Sequence, residues 1–426
     1  MTIAILPVLA GGLPSEPRAV RAPDGRPRTW SSIAEAVRGN LLAHRMPPMG
    51  YMELILTSDC NLRCSYCFEK NKQGLDMPEE VAVRAVDFLL DNSGPLQEVG
   101  ILLFGGEPML RMDLIEKVHA YGTTRAATVG KTINWSMTTN GTLMDQDRAE
   151  WLSRHAVRYL LSMDGGRQDH DRYRHFPDGR GTFDFLIGLL PTMKRFQPWM
   201  GVKMSVVPQA LPTLRAGIEE LYRTGINQFL VGYAHGVPWT DHDVAEYEVA
   251  SRELCELCLE MRYHKRHFRI AIYEEDSLKE RQREQLFGCG AGRGRFCVDP
   301  YGDFYGCSKL ATILGEGQGV LPMGNVFQGF TRIDNRSAFL ITELGPRQKC
   351  QGCELRRTCN GGCPAVNAAA GGHIFQSDDI SCKMSFIGKR VDEYVRRRYK
   401  EVFGTRWQEA LTSPQCELER PISLPI

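Results

Sequence analysis

Apolar positions in this chain gather into short runs separated by helical stretches with one apolar stripe. Runs at Met52–Thr57, Val99–Phe104, Ile133–Thr138, Tyr159–Met163, Val202–Val207 and Phe229–Tyr233 predict six strands. Between them, Pro78–Asp91 predicts a helix opened by a capping box, with Asp76 as cap and Glu79 three residues on, and closed by Gly94. Six strand-then-helix units predict an α/β fold with parallel strands and crossover helices, either an incomplete barrel or an open sheet. In both architectures chemistry collects at the C-terminal ends of the strands.

The pattern stops after about Glu275. Residues 283–385 are poor in long helices and hold eight cysteines, which puts a domain boundary near 280. Residues 1–46 are rich in Pro, Gly and Arg, with one short helix expected from Ser31 to Leu42. The expected organisation is an N-terminal extension (1–46), an α/β domain (47–280), a cysteine-rich domain (281–390) and a C-terminal helix and tail (391–426).

A net charge of +1 over 426 residues supplies no global field toward nucleic acid or anionic lipid. No stretch of 18 apolar residues is present, so no membrane-spanning helix is expected. The start, Ile3–Ala10, lacks a preceding Lys or Arg and contains Pro7, which argues against a secretory signal. Fourteen cysteines in tight clusters in a chain this long favour metal ligation in a reducing compartment, the cytoplasm, over disulfides. Cys255 and Cys258 read as packed core on a helix among leucines, and His264, His267 and the run Arg396–Arg398 as solvated faces.

The strongest local signal is Cys60-Asn-Leu-Arg-Cys64-Ser-Tyr-Cys67, directly after the first strand. Three thiolates within eight residues can wrap one corner of a metal centre. Zinc would want a fourth ligand nearby and none follows. A four-iron cluster held by three cysteines leaves one iron open to an exogenous ligand. A zinc knuckle and three unrelated core cysteines are the alternatives.

The CxxxCxxC spacing resembles the radical S-adenosylmethionine (radical SAM) superfamily, in which the open iron binds the amino and carboxylate groups of S-adenosylmethionine. Further motifs match in order. Gly105-Gly106-Glu107-Pro108 after the second strand looks like the element that holds the methionyl amino group, its glycines allowing close backbone approach to a ligand. Thr139-Asn140-Gly141 resembles the element near the ribose. Ser162-Met-Asp164-Gly165 follows the fourth strand, and Arg174 lies twelve residues past Ser162. The resemblance implies that Ser162 and Arg174 contact the ribose and the methionyl carboxylate, with Asp164 beside them and Phe68 packed near the cofactor.

The second half resembles the SPASM domain. Cys289, Gly302 with Cys307 five residues on, then Cys350-x2-Cys353-x5-Cys359-x3-Cys363 and Cys382 fill its pattern, with Cys297 as an eighth cysteine. Eight thiolates can hold two four-iron clusters; a pair of four-cysteine zinc sites is the alternative. By resemblance to sulfatase-maturing enzymes, Cys289, Cys297, Cys307 and Cys363 would hold an inner cluster, and Cys350, Cys353, Cys359 and Cys382 an outer one. Without Cys297 the inner cluster has an open iron that a substrate thiolate can occupy. The fold implied is a partial (β/α)6 TIM barrel carrying a SPASM domain with two auxiliary [4Fe–4S] clusters, three clusters in all.

The resemblance implies hydrogen abstraction by a 5′-deoxyadenosyl radical from a ribosomally made precursor peptide, giving a thioether, C–C or C–O cross-link. A flavodoxin- or ferredoxin-type electron donor is implied, with no nucleic-acid or membrane partner. Formylglycine formation, a small-molecule dehydrogenase and a non-enzymatic electron carrier are the rival readings. Sulfatase-maturing enzymes carry an Asp as base where this chain has Ser308. Glu69, Tyr233, His235 and Asp299 are candidate bases or substrate contacts. Forty-six residues are too few for a complete leader-peptide domain, so leader recognition is expected from a truncated element, a separate protein or the barrel itself.

Overall fold

The computed structural model describes residues 20–21, 27–28, 47–69, 72, 74–273, 289–311, 322–340, 348–356, 358–359, 361–371, 374–375 and 377–412. The expected helix Ser31–Leu42, the boundary near 280 and Cys416 lie outside them. The chain divides into two compact units. One comprises Met1–Cys60, Phe68–Ser136 and Arg281–Cys382; the other comprises Asn61–Cys67, Met137–Glu280 and Lys383–Ile426.

In the first unit, β1 (Tyr51–Ile55) lies parallel to β2 (Glu98–Phe104), with Tyr51 opposite Gly100 and Ile55 opposite Phe104. β3 (Thr132–Thr139) starts in this unit and ends in the other. Helices α1 (Glu79–Asp91) and α2 (Met112–Thr128) follow β1 and β2. Met52, Leu54, Ile55, Ile101 and Leu103 are fully buried, as expected of parallel strands.

The second unit holds β4 (Arg158–Ser162), β5 (Gly201–Val206), β6 (Gln228–Tyr233) and β7 (Arg269–Ile270) in that order, every neighbouring pair parallel. Helices α3 (Gln146–Arg154), α4 (Arg167–Tyr173), α5 (Phe183–Phe196), α6 (Leu214–Arg223) and α7 (Asp241–Tyr263) alternate with them. The six expected strands are all present, each within one or two residues of its expected ends. The protein is an α/β fold built on parallel strands.

The capping box expected for α1 is absent. Its cap is Pro78, which makes no side-chain bond. Asp76 instead pairs across a β-bridge with Thr57 and lies 3.4 Å from the Arg111 guanidinium. The box in this fold belongs to α7, where Thr240 and Asp243 exchange bonds with each other's backbone N–H.

Two strands went unexpected in the cysteine-rich segment. β8 (Arg295–Val298) runs parallel to β1 with Cys297 opposite Glu53, and β9 (Phe304–Tyr305) returns antiparallel to β8. The turn between them is closed by Asp299, whose Oδ1 accepts the Tyr301 and Asp303 N–H groups at 2.9 and 3.0 Å. Gly302 there has φ +85°, and a Cβ would stand 2.8 Å from Val326 Cγ2. Helices α8 (Ile333–Leu340) and α9 (Pro364–Gly371) complete this segment.

Helix α10 (Asp379–Phe403) extends beyond the expected start of the tail. Arg398, expected on a solvated face, pairs with Glu256 of α7 at 2.7 Å, which also accepts from Tyr394 at 2.7 Å. Tyr399 is fully buried. Among the described residues no helix is long and apolar enough to cross a membrane.

Gly302→Ala is expected to destabilise the β8–β9 turn. A left-handed backbone costs an L-residue about 1–2 kcal/mol before the clash with Val326 is counted. The thermal midpoint of anaerobically purified protein should fall by several degrees; a native midpoint would mean that the turn tolerates a side chain.

Candidate functional site

The loop after β1 is held from both sides, and its chemistry follows from how. Gly105 has φ +138°, and a Cβ there would lie 2.4 Å from the Thr57 carbonyl oxygen; at Gly106 it would lie 1.9 Å from that of Asp59. Backbone N–H groups of Gly106 and Glu107 donate to Thr57 and Asp59 carbonyls at 2.9 and 2.8 Å. The glycines therefore make room for the protein's own cysteine loop. Asp59 turns its carboxylate onto the Cys60 N–H at 2.8 Å.

Glu107 is buried and caps the turn Pro108–Arg111 by accepting the Met109 N–H at 3.1 Å. Phe68 stacks on Phe104 with ring centroids 6.5 Å apart, and the Lys309 ammonium lies 5.6 Å from the Phe68 centroid. Burial pushes the Glu69 carboxyl up to about 8; Lys72 opposes the shift and Glu107 adds to it.

In the second unit, residues 61–67 are strapped to the segment that carries Arg174. Arg63 N–H donates to the His175 carbonyl at 2.9 Å and Ser65 N–H to that of Tyr173 at 3.0 Å. Asn61 donates to Thr142 Oγ1 at 2.7 Å and accepts from Asn140 at 2.9 Å. Cys67 N–H donates to the Cys64 carbonyl at 3.2 Å, so the two half-buried thiols flank one turn. Thr139 Oγ1 accepts the Gly141 N–H at 2.9 Å.

Arg174 Nε donates to Asp164 Oδ2 at 2.7 Å, and both residues are buried. The Tyr66 hydroxyl donates to the same Oδ2, while Asp164 Oδ1 accepts the Ser205 N–H at 2.8 Å. The Arg174 guanidinium carbon stands 5.4 Å from the Tyr66 centroid. Burial opposes the charge on Arg174, but Asp164, Tyr66 and Cys64 outweigh it and raise its pKa. Among the described residues Arg174 Nη1 and Nη2 carry no hydrogen bond. Asp164, Gly165, Asp169, Met204 and Ser205 line a small pocket at the ends of β4 and β5. Ser162 ends β4, half-buried.

Desolvation holds the Cys307 thiol well above its ordinary range, and Glu53, Cys363 and Cys289 push the same way. Cys297, fully buried on β8, is raised by desolvation and then by Glu53, Cys307, Asp299 and Glu69. Cys382 is raised by desolvation, opposed by Lys349, and raised further by Cys350 and Cys359. Cys353 N–H donates to the Cys350 carbonyl at 3.3 Å, putting them on one turn. Among the described residues, no three His, Cys, Asp or Glu side chains stand close enough to hold a single metal ion.

Tyr233 packs edge-on against His235, Trp239 and Tyr247 at centroid distances of 4.6, 6.1 and 6.1 Å. Burial pushes the Asp299 carboxyl up to about 7 against the turn N–H bonds that hold it. Cys255 and Cys258 are buried on α7, and His264 and His267 are exposed, as expected.

Tyr66, Ser205 and Glu53 are among the residues of these networks that were not singled out from sequence. Tyr66 had a signal, since a residue inside a cysteine motif is carried wherever the motif goes. Ser205 acts through its backbone, and backbone donors leave no mark on residue type. Glu53 accepts the Ser308 N–H at 2.9 Å, across 255 residues of chain.

Residues 54–197 match the Radical SAM superfamily. An uncharacterized protein of Methanocaldococcus jannaschii is 30% identical over 179 residues, covering 42% of this chain and 60% of that protein. The cysteine-type anaerobic sulfatase-maturating enzyme of Clostridium perfringens strain 13 is 26% identical over 192 residues, 42% of this chain and 48% of the enzyme. The chain thus spans between about half and 60% of the length of these relatives.

Among solved structures, native anSMEcpe with bound AdoMet and the Cp18Cys peptide superposes with a TM-score of 0.65 at 20% identity, over 83% of this chain and 100% of that one. Streptococcus suis SuiB bound to S-adenosylmethionine gives 0.58 at 17%, over 83% and 82%. Likeness at these identities is likeness of fold. This chain carries a radical SAM domain, on the α/β fold found in anSMEcpe and SuiB.

Proposed function

We propose that this protein is a cytoplasmic radical SAM/SPASM peptide maturase that installs an oxidative cross-link in a ribosomally made precursor peptide. One observation carries the reading: beyond the residues that match the radical SAM superfamily, residues 289–382 hold eight cysteines in the spacing of a SPASM domain. Cys289, Cys297, Cys307 and Cys363 would hold an inner cluster, and Cys350, Cys353, Cys359 and Cys382 an outer one. SuiB, of like fold, has been solved bound to its precursor peptide SuiA.

The residues fit the cofactor. Cys60, Cys64 and Cys67 are soft thiolate donors on one loop, suited to iron–sulfur ligation. Arg174 is fixed through Nε, which leaves its outer edge for a bidentate carboxylate contact. When bound, S-adenosylmethionine and the reduced cluster supply the 5′-deoxyadenosyl radical that takes hydrogen from the substrate. The chain orients that chemistry and excludes water from it. Glu107, Thr139, Asn140 and Ser162 would line the cofactor, with Phe68 packed beside it. Tyr233, the last residue of β6, and His235 just beyond it would meet the peptide. Glu69 and Asp299, with raised pKa values, are the candidate proton acceptors.

Sulfatase-type maturation is the second reading, because Ser308 has a carboxylate beside it after all, that of Glu53. Anaerobic co-expression with each short reading frame beside the gene, followed by mass spectrometry, tests both. A peptide lighter by two hydrogens is expected. Formylglycine in a sulfatase fragment, with no change in any peptide, would overturn the cross-linking reading.

Reconstituted protein should bind about twelve irons per chain, and replacing Cys60, Cys64 and Cys67 together should remove about four and abolish 5′-deoxyadenosine. A wild-type count near four, or stoichiometric zinc, would refute the auxiliary clusters.

Arg174→Ala should weaken S-adenosylmethionine binding by about 1.5–3 kcal/mol, roughly 10- to 150-fold, with iron content intact. Native affinity in the variant would remove Arg174 from the carboxylate site.

Cys350→Ala with Cys353→Ala should leave 5′-deoxyadenosine formation while eliminating modified peptide, if the outer cluster takes up the electron released as product forms. Circular dichroism and first-cluster absorbance establish that the variant is folded. Mature peptide at the native rate from such a variant would make the outer cluster structural only.

A further inference from the structure

Behind the Asp164–Arg174 pair the side chains close into a ring. Asp164 N–H donates to His170 Nδ1 at 3.3 Å, so Nδ1 carries a lone pair and the ring proton sits on Nε2. Nε2–H then donates to Thr182 Oγ1 at 2.8 Å, and the Thr182 hydroxyl donates to the Arg174 carbonyl at 3.3 Å. Arg174 Nε–H returns to Asp164 Oδ2 at 2.7 Å. Each link has one donor and one acceptor, and only the Nε2–H tautomer of a neutral imidazole satisfies all of them.

We propose that His170 is a positioning residue for the cofactor: as a neutral imidazole it sets Asp164 and Arg174 at the spacing and angle in which the outer edge of the guanidinium meets a carboxylate. The inference rests on the reading that Arg174 binds the methionyl carboxylate.

Three observations carry it. His170 has no exposed surface, and its ring packs edge-on against Phe183 at 5.8 Å, so it cannot meet substrate itself. It sits one turn before Arg174, whose N–H donates to the His170 carbonyl at 2.9 Å, so a shift of the imidazole moves the backbone that carries the guanidinium. Its neighbour Asp171 accepts the Phe183 N–H at 2.8 Å, which fastens α4 to the start of α5, the segment that supplies Thr182.

The charged groups facing the imidazole are Arg174, Asp164 and Asp171. Burial, then Arg174, lowers the pKa to about 4 against the pull of the two carboxylates. A depressed folded pKa means that the neutral ring's contribution is complete above the unfolded value of roughly 6.5 and fades as pH falls toward about 4. His170 thus holds one tautomer across the working range and takes no part in proton transfer.

The experiment is equilibrium dialysis of labelled S-adenosylmethionine against the reconstituted protein and four variants, with iron content and circular dichroism measured on each. His170→Leu keeps bulk and removes both bonds, and should raise Kd about 10-fold or more. His170→Asn offers an acceptor in place of Nδ1 and should recover most of that loss. Thr182→Val cuts the ring at the Nε2 bond while leaving the imidazole and its Nδ1 bond in place, and should raise Kd about 3-fold, which keeps the test open should His170→Leu fail to fold. Native Kd should stay flat from pH 8 to pH 6.

A folded His170→Leu of native affinity would overturn the proposal, as would equal losses in the Leu and Asn variants. Arg174→Ala separates the two levels. Native affinity there sinks the carboxylate reading itself. Weakened affinity there alongside a native His170→Leu sinks only the positioning role.

Discussion

Much of the second unit's functional end depends on one buried ion pair, Asp164 with Arg174. Taking a carboxylate and a guanidinium out of water costs more than their attraction returns unless the remaining polar atoms are also satisfied. Here both carboxylate oxygens are engaged: Oδ2 takes Arg174 and Tyr66, and Oδ1 takes the Ser205 N–H. Those bonds tie together the tip of β4, the strand β5 and the loop carrying Cys64 and Cys67. The flanking backbone bonds, from Arg63 to His175 and from Ser65 to Tyr173, make the strap two-sided. Removing either charge would strand the other in a low-dielectric site, so the arrangement is held as a unit and resists partial loosening.

The first unit solves the same problem with backbone instead of charge. Gly105 and Gly106 let one turn lie against Thr57–Asp59 at distances that no Cβ would permit. The bonds made there fix the run into Cys60 and present Glu107 at the adjoining turn. The cysteine loop is thus braced at its start by a glycine contact within one unit and along Asn61–Cys67 by side-chain and backbone bonds within the other. A metal-ligating loop needs such bracing, because a ligand set that moves cannot hold a centre at one potential.

What could be read from sequence was what is local. The strands β1 to β6 announced themselves because parallel strands buried on both faces are continuous apolar runs. Motifs at their C-terminal ends followed from that placement. The capping box at Asp76 failed because a side chain cannot reveal from sequence which of two partners it takes, and Arg111 and Thr57 lie outside the local window. Strand β8 failed for the same reason: four residues among turns become a strand only because β1 lies alongside. His170 carried no signal in the sequence. Its role comes from a ring closed through Thr182 and the backbone of residues 164 and 174, which no spacing rule encodes.

The pairing of β8 with β1 changes how the cysteine-rich segment should be understood. It puts Cys297 opposite Glu53 in a parallel ladder, with the Glu53 carboxylate on the Ser308 N–H next to Cys307. Desolvation alone makes thiolates at these two positions costly, and Glu53 adds to the cost. Bare, the site therefore disfavours the very charge that ligation requires. Metal binding would reverse this, since a cation close to the sulfur stabilises the thiolate far more strongly than Glu53 opposes it. Ligation, where it occurs, would add to the order that the buried side chains Phe296, Phe304 and Phe339 already give this segment. An anion fixed beside the inner thiolates would also favour the more oxidised state of whatever they hold, because each added electron meets its charge. Such a bias suits a centre that passes electrons onward rather than storing them.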